Sequence, residues 1–423
     1  MYELAKQLFP ICRSITGDGV RKTLDLLKKE LSELQIYEVP TGTEVFDWVV
    51  PKEWNIRDAY IQNSKGDRII DFQENNLHVM GYSLPMDCEM TLKELKEIIY
   101  TQPDQPDVIP YVTSYYKEQS GFCMSENQKN ALPEDTYHCV IDSELKSGSL
   151  TYGEIILGGE TEKEILLSTY ICHPSMANNE VSGPVVTLEL AKWLKSLQKK
   201  RYTYRVIFVP ETIGAITYLS KNLEMMKKNT VAGFVLSCVG DDRTYSMVET
   251  KYGNTLTDKL LKNVLRYHYP NFKLYDFLHR GSDERQYNAP GVELPVCAVC
   301  RSKYEEYPEY HTSADDMSVI SEKGLEGTVS LMKKCIFALE NNYYYKLNCY
   351  CEPQLGKRGL YSTTSRKGAQ ASVRYIQDFM EYADGRNDLI DISNIIGVSI
   401  EELLPVISSL EKNGLLKKGE GND

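Results

Sequence analysis

From residue 137 onward the chain alternates short apolar runs with longer stretches of helical period. Glu164-Ile-Leu-Leu-Ser-Thr-Tyr170, Tyr204-Arg-Val-Ile-Phe-Val209 and Ala232-Gly-Phe-Val-Leu-Ser237 have the unbroken apolar texture of buried strands, and another strand falls near Pro295. Between them the pattern predicts helices over 183–197, after Gly214, over 253–267 and from Ile320 to about Leu339. Strand–helix alternation of this kind implies an α/β fold: a doubly wound, mostly parallel sheet whose functional groups gather at the carboxyl ends of the strands. Helical periodicity also covers 2–9 and 19–35, and Cys12-Arg-Ser-Ile-Thr-Gly-Asp-Gly19 between them reads as a turn feeding an N-cap.

Two stretches break this rhythm. Residues 41–135 are rich in Trp, Tyr, Pro and Asn and carry short alternating runs such as Ala59-Tyr-Ile-Gln62 and Arg68-Ile-Ile-Asp-Phe72, the texture of a small β-rich unit. With the first 40 residues assigned to the sheet, the α/β domain spans 1–40 and 136–345, and the β-rich unit is inserted into it. The second break follows the Asn341-Asn-Tyr-Tyr-Tyr345 run. Helical spacing over Ala369–Ala383 leads into Ile392-Ser-Asn-Ile-Ile-Gly397-Val-Ser399, a helix, a glycine turn and a serine N-cap, closed by Lys412-Asn-Gly-Leu-Leu-Lys-Lys418. The pattern over 350–420 is that of a winged helix-turn-helix domain. A DNA-reading helix presents Arg, Lys, Asn or Gln to base edges, whereas the helix after Ser399 offers Glu401, Glu402 and Ser408. A protein contact, or self-association into a homo-oligomer, is the expectation for this domain, and nucleic acid is not.

Composition narrows the class. The chain has 423 residues, 42% apolar and 26% charged, with a net charge of −12 that disfavours non-specific binding to nucleic acid or anionic membranes. No run approaches the roughly 18 apolar residues of a membrane span, and Met1-Tyr-Glu-Leu-Ala-Lys-Gln-Leu-Phe9 lacks a basic start followed by an apolar stretch. A cytoplasmic protein without a membrane anchor is expected. Eleven cysteines, an odd number scattered through elements, point to reduced thiols rather than a disulfide framework. Cys297-Ala-Val-Cys300 lies inside a strand pattern rather than around a turn, which argues against a structural zinc site there.

The chemistry-bearing residues recur where apolar runs meet polar loops. His173 follows Leu167-Ser-Thr-Tyr-Ile-Cys172; Asn179 lies in Ala177-Asn-Asn-Glu-Val-Ser-Gly183; Glu211 follows Val209; Asp283 sits in Arg280-Gly-Ser-Asp-Glu-Arg285; and His311 opens His-Thr-Ser-Ala-Asp315. A catalytic metal needs about three protein ligands with one position open to water, and a carboxylate nearby to take that water's proton. His173, Asp283 and His311 can supply ligands and Glu211 the base. Arg280 and Arg285 flank Asp283 and could meet a substrate carboxylate.

These strings, with Pro210-Glu-Thr-Ile-Gly214 and Tyr307-Pro-Glu-Tyr-His-Thr-Ser-Ala-Asp315, resemble the zinc aminopeptidase superfamily with co-catalytic metals, including the bacterial leucyl aminopeptidases. More closely, the whole chain resembles a bacterial family that joins an aminopeptidase-like domain to an inserted β domain and a C-terminal winged helix. The resemblance implies a metal-dependent hydrolase cleaving an amide bond next to a free amine, on a peptide or a small amine or amide substrate, with His173, Asp283, His311 and Asn179 around zinc and Glu211 as base.

The departures alter that picture. Where the superfamily pattern has a bridging aspartate this chain has Asn179, where it has a second glutamate there is Thr212, and the aspartate that orients the first histidine is replaced by Ser175. Two carboxylates that would hold a metal pair are absent, so a single zinc per chain is expected, with Asn179 or water assisting His173 and Asp283. Two alternatives remain: a non-catalytic binding protein on a degenerate peptidase scaffold, and a deacylase of an amino sugar or modified amino acid.

Overall fold

A computed structural model describes residues 1–115, 117–360 and 369–420, except the side chains of 369–373. The residues group into two compact units, Met1–Gly253 with Lys273–Val329, and Asn254–Phe272 with Ser330–Asp423. The helix Leu256–His268, expected within the α/β part, therefore falls with the C-terminal unit.

The first unit is organised by an eight-stranded sheet. In spatial order its strands are Gln35–Pro40, Ser149–Leu157, Thr203–Val209, Glu164–Tyr170, Thr230–Leu236, Val296–Cys300, Ser246–Val248 and Lys273–Tyr275. Its central four strands run parallel, as the strand–helix alternation predicts, and antiparallel pairs flank them. Strands Glu164–Tyr170 and Val296–Cys300 are buried along their whole length, the expected state of a sheet covered on both faces. The helix Ser182–Ser196 packs so closely on the sheet that a Cβ on Gly183 would lie 2.3 Å from Thr169 Oγ1 and 2.6 Å from the Leu236 carbonyl oxygen. Only glycine fits there.

The 19–35 helical prediction ends early. The helix is Asp18–Glu30, and Gln35–Pro40 instead extends as an edge strand paired with Ser149–Leu157. Within 41–146, Glu53–Gln62, Arg68–Asp71, Met86–Thr91 and Thr136–Lys146 form a four-stranded antiparallel sheet with its own core around Ala59, Phe72, Phe122 and Ile141.

In the second unit the strands Tyr344–Leu347, Asp384–Asp388 and Leu416–Gly419 form a three-stranded sheet beside the helices Leu389–Ile396 and Ile400–Lys412. Gly397 ends the first of these in the left-handed region at φ 71°, and Ser399 with Glu402 makes a capping box for the second. Residues 361–368 of the expected C-terminal domain lie outside the described residues. Glu402 and Ser408 are exposed as expected, while Glu401 is engaged, its Oε1 3.0 Å from His268 Nε2. No helix among the described residues is long and apolar enough to cross a membrane. None of the eleven cysteines is in a disulfide, and Cys297 and Cys300 are buried in a strand.

Candidate active site

Three loops leave the carboxyl ends of neighbouring parallel strands with a non-glycine residue at positive φ: Ser175 at 41°, Thr212 at 60° and Cys238 at 52°. His311, at 56°, makes a fourth. Such conformations cost of order 1–3 kcal/mol each and persist where packing over-determines them. Their clustering marks this end of the sheet as the functional one.

His173 follows strand Glu164–Tyr170 and is 4% exposed. Its backbone N–H and its Nδ1 both donate to Glu180 Oε2, each at 3.0 Å. Glu180 belongs to a single π-helical turn, Ala177–Val181, that leads into helix Ser182–Ser196; such turns recur at functional sites. The wider turn directs Glu180 at the histidine. Arg13, from the first loop of the chain, is buried beside it: its Nε donates to the His173 carbonyl at 3.0 Å and lies 3.2 Å from Glu180 Oε1. Ser175, at the position where the resemblance places an orienting aspartate, accepts from Asn76 Nδ2 at 2.8 Å and takes no part in holding the ring. Glu180 does that work instead. Neither Glu180 nor Arg13 was singled out by the sequence, although both lie in loops that it marked as polar turns.

On the other side of the ring, His173 Nε2 lies 3.6 Å from Glu211 Oε2. Glu211 comes from the turn after Thr203–Val209, and its N–H donates to Cys172 Sγ at 3.2 Å. Thr212 then donates its N–H to Asp283 Oδ1 at 2.8 Å, which brings Asp283 to the same site. Asp283 is not delivered by a strand as the pattern suggested. Phe277–His279 is a short 3-10 turn, and Asp283 directly precedes the four-residue helix Glu284–Tyr287 without a side-chain capping bond to it. His311 also comes from a loop rather than a strand end. Segment 109–111 of the β-rich stretch pins that loop: Tyr111 N–H donates to the His311 carbonyl and Ser313 N–H to the Ile109 carbonyl, both at 2.9 Å.

The electrostatics follow from burial. Asp283 is wholly buried, and desolvation together with the neighbouring Glu211 holds its carboxyl well above the usual range. Burial likewise raises Glu211, opposed by His173 and Arg285. For His173, burial favours the neutral ring, but Glu180 and Glu211 outweigh it and leave its pKa raised. His311 is pushed down to about 3 by burial and by His173, so it is a neutral imidazole at physiological pH. A cation placed beside Glu211 and Asp283 would relieve both carboxyls.

The four expected ligands are not gathered into one shell. Among the described residues, the only three His, Cys, Asp or Glu side chains with ligand atoms mutually within 4.8 Å are Cys172, His173 and Glu180. That trio is a poor dication site, because the Arg13 guanidinium already lies against Glu180 and burial keeps Cys172 a protonated thiol. Asn179 is turned away from a ligand role. Its Oδ1 accepts from Tyr170 Oη at 3.1 Å and from Cys238 Sγ at 3.6 Å, leaving the amide nitrogen buried and unpaired. Asp283 Oδ2 and His311 Nε2 are also buried without partners. Unpaired buried polar atoms cost about 1–3 kcal/mol each, so three at one site call for a ligand or ion. The donor set suits at most one divalent cation, with His173 and Asp283 as the carboxylate–imidazole pair. A second is disfavoured by Asn179 and by Thr212, whose Oγ1 accepts from the Arg285 guanidinium.

Beside these groups lies a cavity of about 440 Å³ lined by Trp48, Tyr111, Tyr115, His173, Glu211 and Arg285, with Ile15, Ile213, Thr212 and His311 among the rest. Tyr111 stands edge-on to both histidines, with ring centroids 5.3 Å from His173 and 5.1 Å from His311. The aromatic wall comes largely from the stretch between residues 41 and 135, which the sequence identified as a unit without identifying these side chains.

A mostly parallel sheet with its polar site at the strand carboxyl ends, followed by a winged helix, is an aminopeptidase-like scaffold with a C-terminal extension. Solved structures bear this out at the level of fold: a zinc aminopeptidase from Bacillus subtilis is 14% identical, with 80% of this chain and 93% of that one covered and a TM-score of 0.58. The chain belongs to the family described as a domain of unknown function (DUF4910), which matches residues 2–342, and a winged helix-turn-helix family matches 342–418. A relative from Clostridium acetobutylicum, provisionally named a polysaccharide biosynthesis protein with an aminopeptidase-like domain, is 46% identical over 419 residues, 99% of this chain and 96% of its own. A crystal structure from the same organism, titled as a provisional peptidase, has a TM-score of 0.92 at 46% identity, with 99% of this chain and 96% of that one covered.

Proposed function

We propose that the chain is a hydrolase that cleaves an amide bond next to a free amine, with a single zinc ion at most. The observation that carries this is the approach of Glu211 Oε2 to His173 Nε2, 3.6 Å apart, beside the unpaired buried carboxylate oxygen of Asp283. Glu211 is the base. Its raised pKa brings it nearer the range in which a carboxylate can both take and return a proton. The mutually repelling carboxyls of Glu211 and Asp283 favour a substrate ammonium, and Tyr111, Tyr115 and Trp48 close the cavity around it. Zinc held by His173 and Asp283 would add a Lewis acid for the carbonyl and a more acidic water.

The test is metal content per chain after purification without chelator, for wild type and His173→Ala, together with hydrolysis of leucine p-nitroanilide by wild type and Glu211→Gln. About one zinc, lost with His173, and turnover lost with Glu211 support the reading. Hydrolysis that Glu211→Gln leaves intact, or no hydrolysis of amino-terminal amides at all, refutes it.

A second reading is deacylation of an amino sugar. Aromatic planes at Trp48, Tyr111 and Tyr115 suit the apolar face of a sugar ring, and the Clostridium acetobutylicum relative is named for polysaccharide biosynthesis. Release of acetate from an N-acetylated amino sugar, with no turnover of peptide amides, would favour it.

A further inference from the structure

Arg285 is a cation with almost nothing to hold. It stands on the short helix Glu284–Tyr287 and lines the cavity beside Glu211 and Thr212. Its one side-chain hydrogen bond among the described residues runs from Nη2 to Thr212 Oγ1. Its Nε is buried without a partner, and it forms no ion pair among the described residues. A guanidinium carries five N–H donors in a fixed fork that matches a carboxylate. Leaving such donors unmatched in a cavity wall is costly unless a ligand brings the oxygens. Other arginines of this unit are used differently: Arg205 meets Glu164 through two nitrogens at 2.8 Å, and Arg243 meets Glu309 through two at 2.7 and 2.8 Å.

Position adds a second argument. Arg285 is bonded to Thr212, the residue that stands where the superfamily pattern has the glutamate of a second metal ion, and its charge acts on both Glu211 and Asp283. A fixed cation thus occupies the side of the site from which a second metal is disfavoured.

We propose that Arg285 receives the oxygen end of the scissile acyl group, first the carbonyl oxygen and then the carboxylate of the α-amino acid product. The inference rests on the amide-hydrolase reading and assigns a task within it. As water oxygen bonds to the carbonyl carbon, the carbonyl π pair moves onto the oxygen facing Arg285, and Glu211 takes the water proton. When the C–N bond breaks, that proton passes to the leaving nitrogen; the second water proton, still on the new carboxyl group, then passes to Glu211 and on to solvent, and the carboxylate stays opposite the guanidinium. Arg285 would be a catalytic residue, and the ligand class an α-amino acid with its amine toward the acidic pair and its carboxylate toward Arg285.

Calorimetric titration with leucine and with leucinol, which keeps the amine and side chain but lacks the carboxylate, isolates this contact without requiring turnover. Wild type should bind leucine about ten-fold or more tightly than leucinol, the scale of a charge-assisted hydrogen bond. In Arg285→Met the two should bind within about two-fold of each other, with leucinol binding unchanged, which shows that the site is still folded. Arg285→Lys should keep part of the preference. Equal binding of both compounds by wild type, no leucine binding, or a preference that survives Arg285→Met overturns the assignment. An Arg285-dependent preference in a protein that hydrolyses no amide would sink the hydrolase reading while sustaining Arg285 as the carboxylate receptor.

Discussion

Glu180 and Arg13 form a buried ion pair on which the orientation of His173 depends, and removing one partner has a calculable cost. The side chains are 1% and 0% exposed. Glu180→Gln keeps the volume and one acceptor for His173 but leaves the Arg13 charge uncompensated, for which about 3–5 kcal/mol of destabilisation is expected. Arg13→Met strands the Glu180 carboxylate, with a loss on the same scale. In the double variant neither charge remains, so its loss should fall short of the sum by about 3 kcal/mol. For a unit of this size, at about 2 °C per kcal/mol, each single variant should melt roughly 6–10 °C below wild type. Thermal unfolding of the full-length variants, with urea titration for the free energies, completes the cycle. The imidazole ¹⁵N shifts of His173 report its tautomer, which Glu180→Gln should disturb. Single variants within about 1 kcal/mol of wild type, or strict additivity, would show that the pair is not what holds this corner together.

Three further outcomes are expected. Gly183→Ala places a methyl against Thr169 and the Leu236 carbonyl, so it should cost about 3 kcal/mol and disturb the loop that carries Glu180, measured as urea stability and His173 chemical shift. Glu53, held down to about 2 by the Arg21 guanidinium, is favoured in its ionised form by the fold. Its contribution is complete above its ordinary value of 4.5 and is lost as pH falls through about 2, so Glu53→Gln should be less stable at pH 7 yet lose less stability than wild type on acidification across that window. Ser399→Ala removes the capping box of helix Ile400–Lys412 and should cost about 1 kcal/mol, seen as faster hydrogen exchange in that helix of the intact chain with no change at the active site.

By itself the sequence determined the periodic elements. The parallel strands of the sheet centre, the helices after Ser182 and Thr212, and the glycine turn with its serine cap at 397–399 all follow from local rules: unbroken apolar runs, a 3.6-residue period, a φ that glycine tolerates. It also marked the segments that converge at the site, since residues just past parallel strands lie at one end of the sheet by construction. Local rules could not say which side chains would meet. Asp283 and His311 are delivered by loops whose paths are set by hydrogen bonds to Thr212 and to residues 109–111, partners about 70 and 200 positions away in the chain. Glu180 replaces the carboxylate missing at Ser175 only because a π-turn rotates it toward His173, and Arg13 is drawn in by that buried charge. Arg285 meets Thr212 Oγ1 and no carboxylate among the described residues because of how the turn after Thr203–Val209 and the short helix Glu284–Tyr287 come together in space. Periodicity is a property of neighbours along the chain, whereas pairing, burial and the charge of a site are properties of neighbours in space, which only the tertiary structure decides.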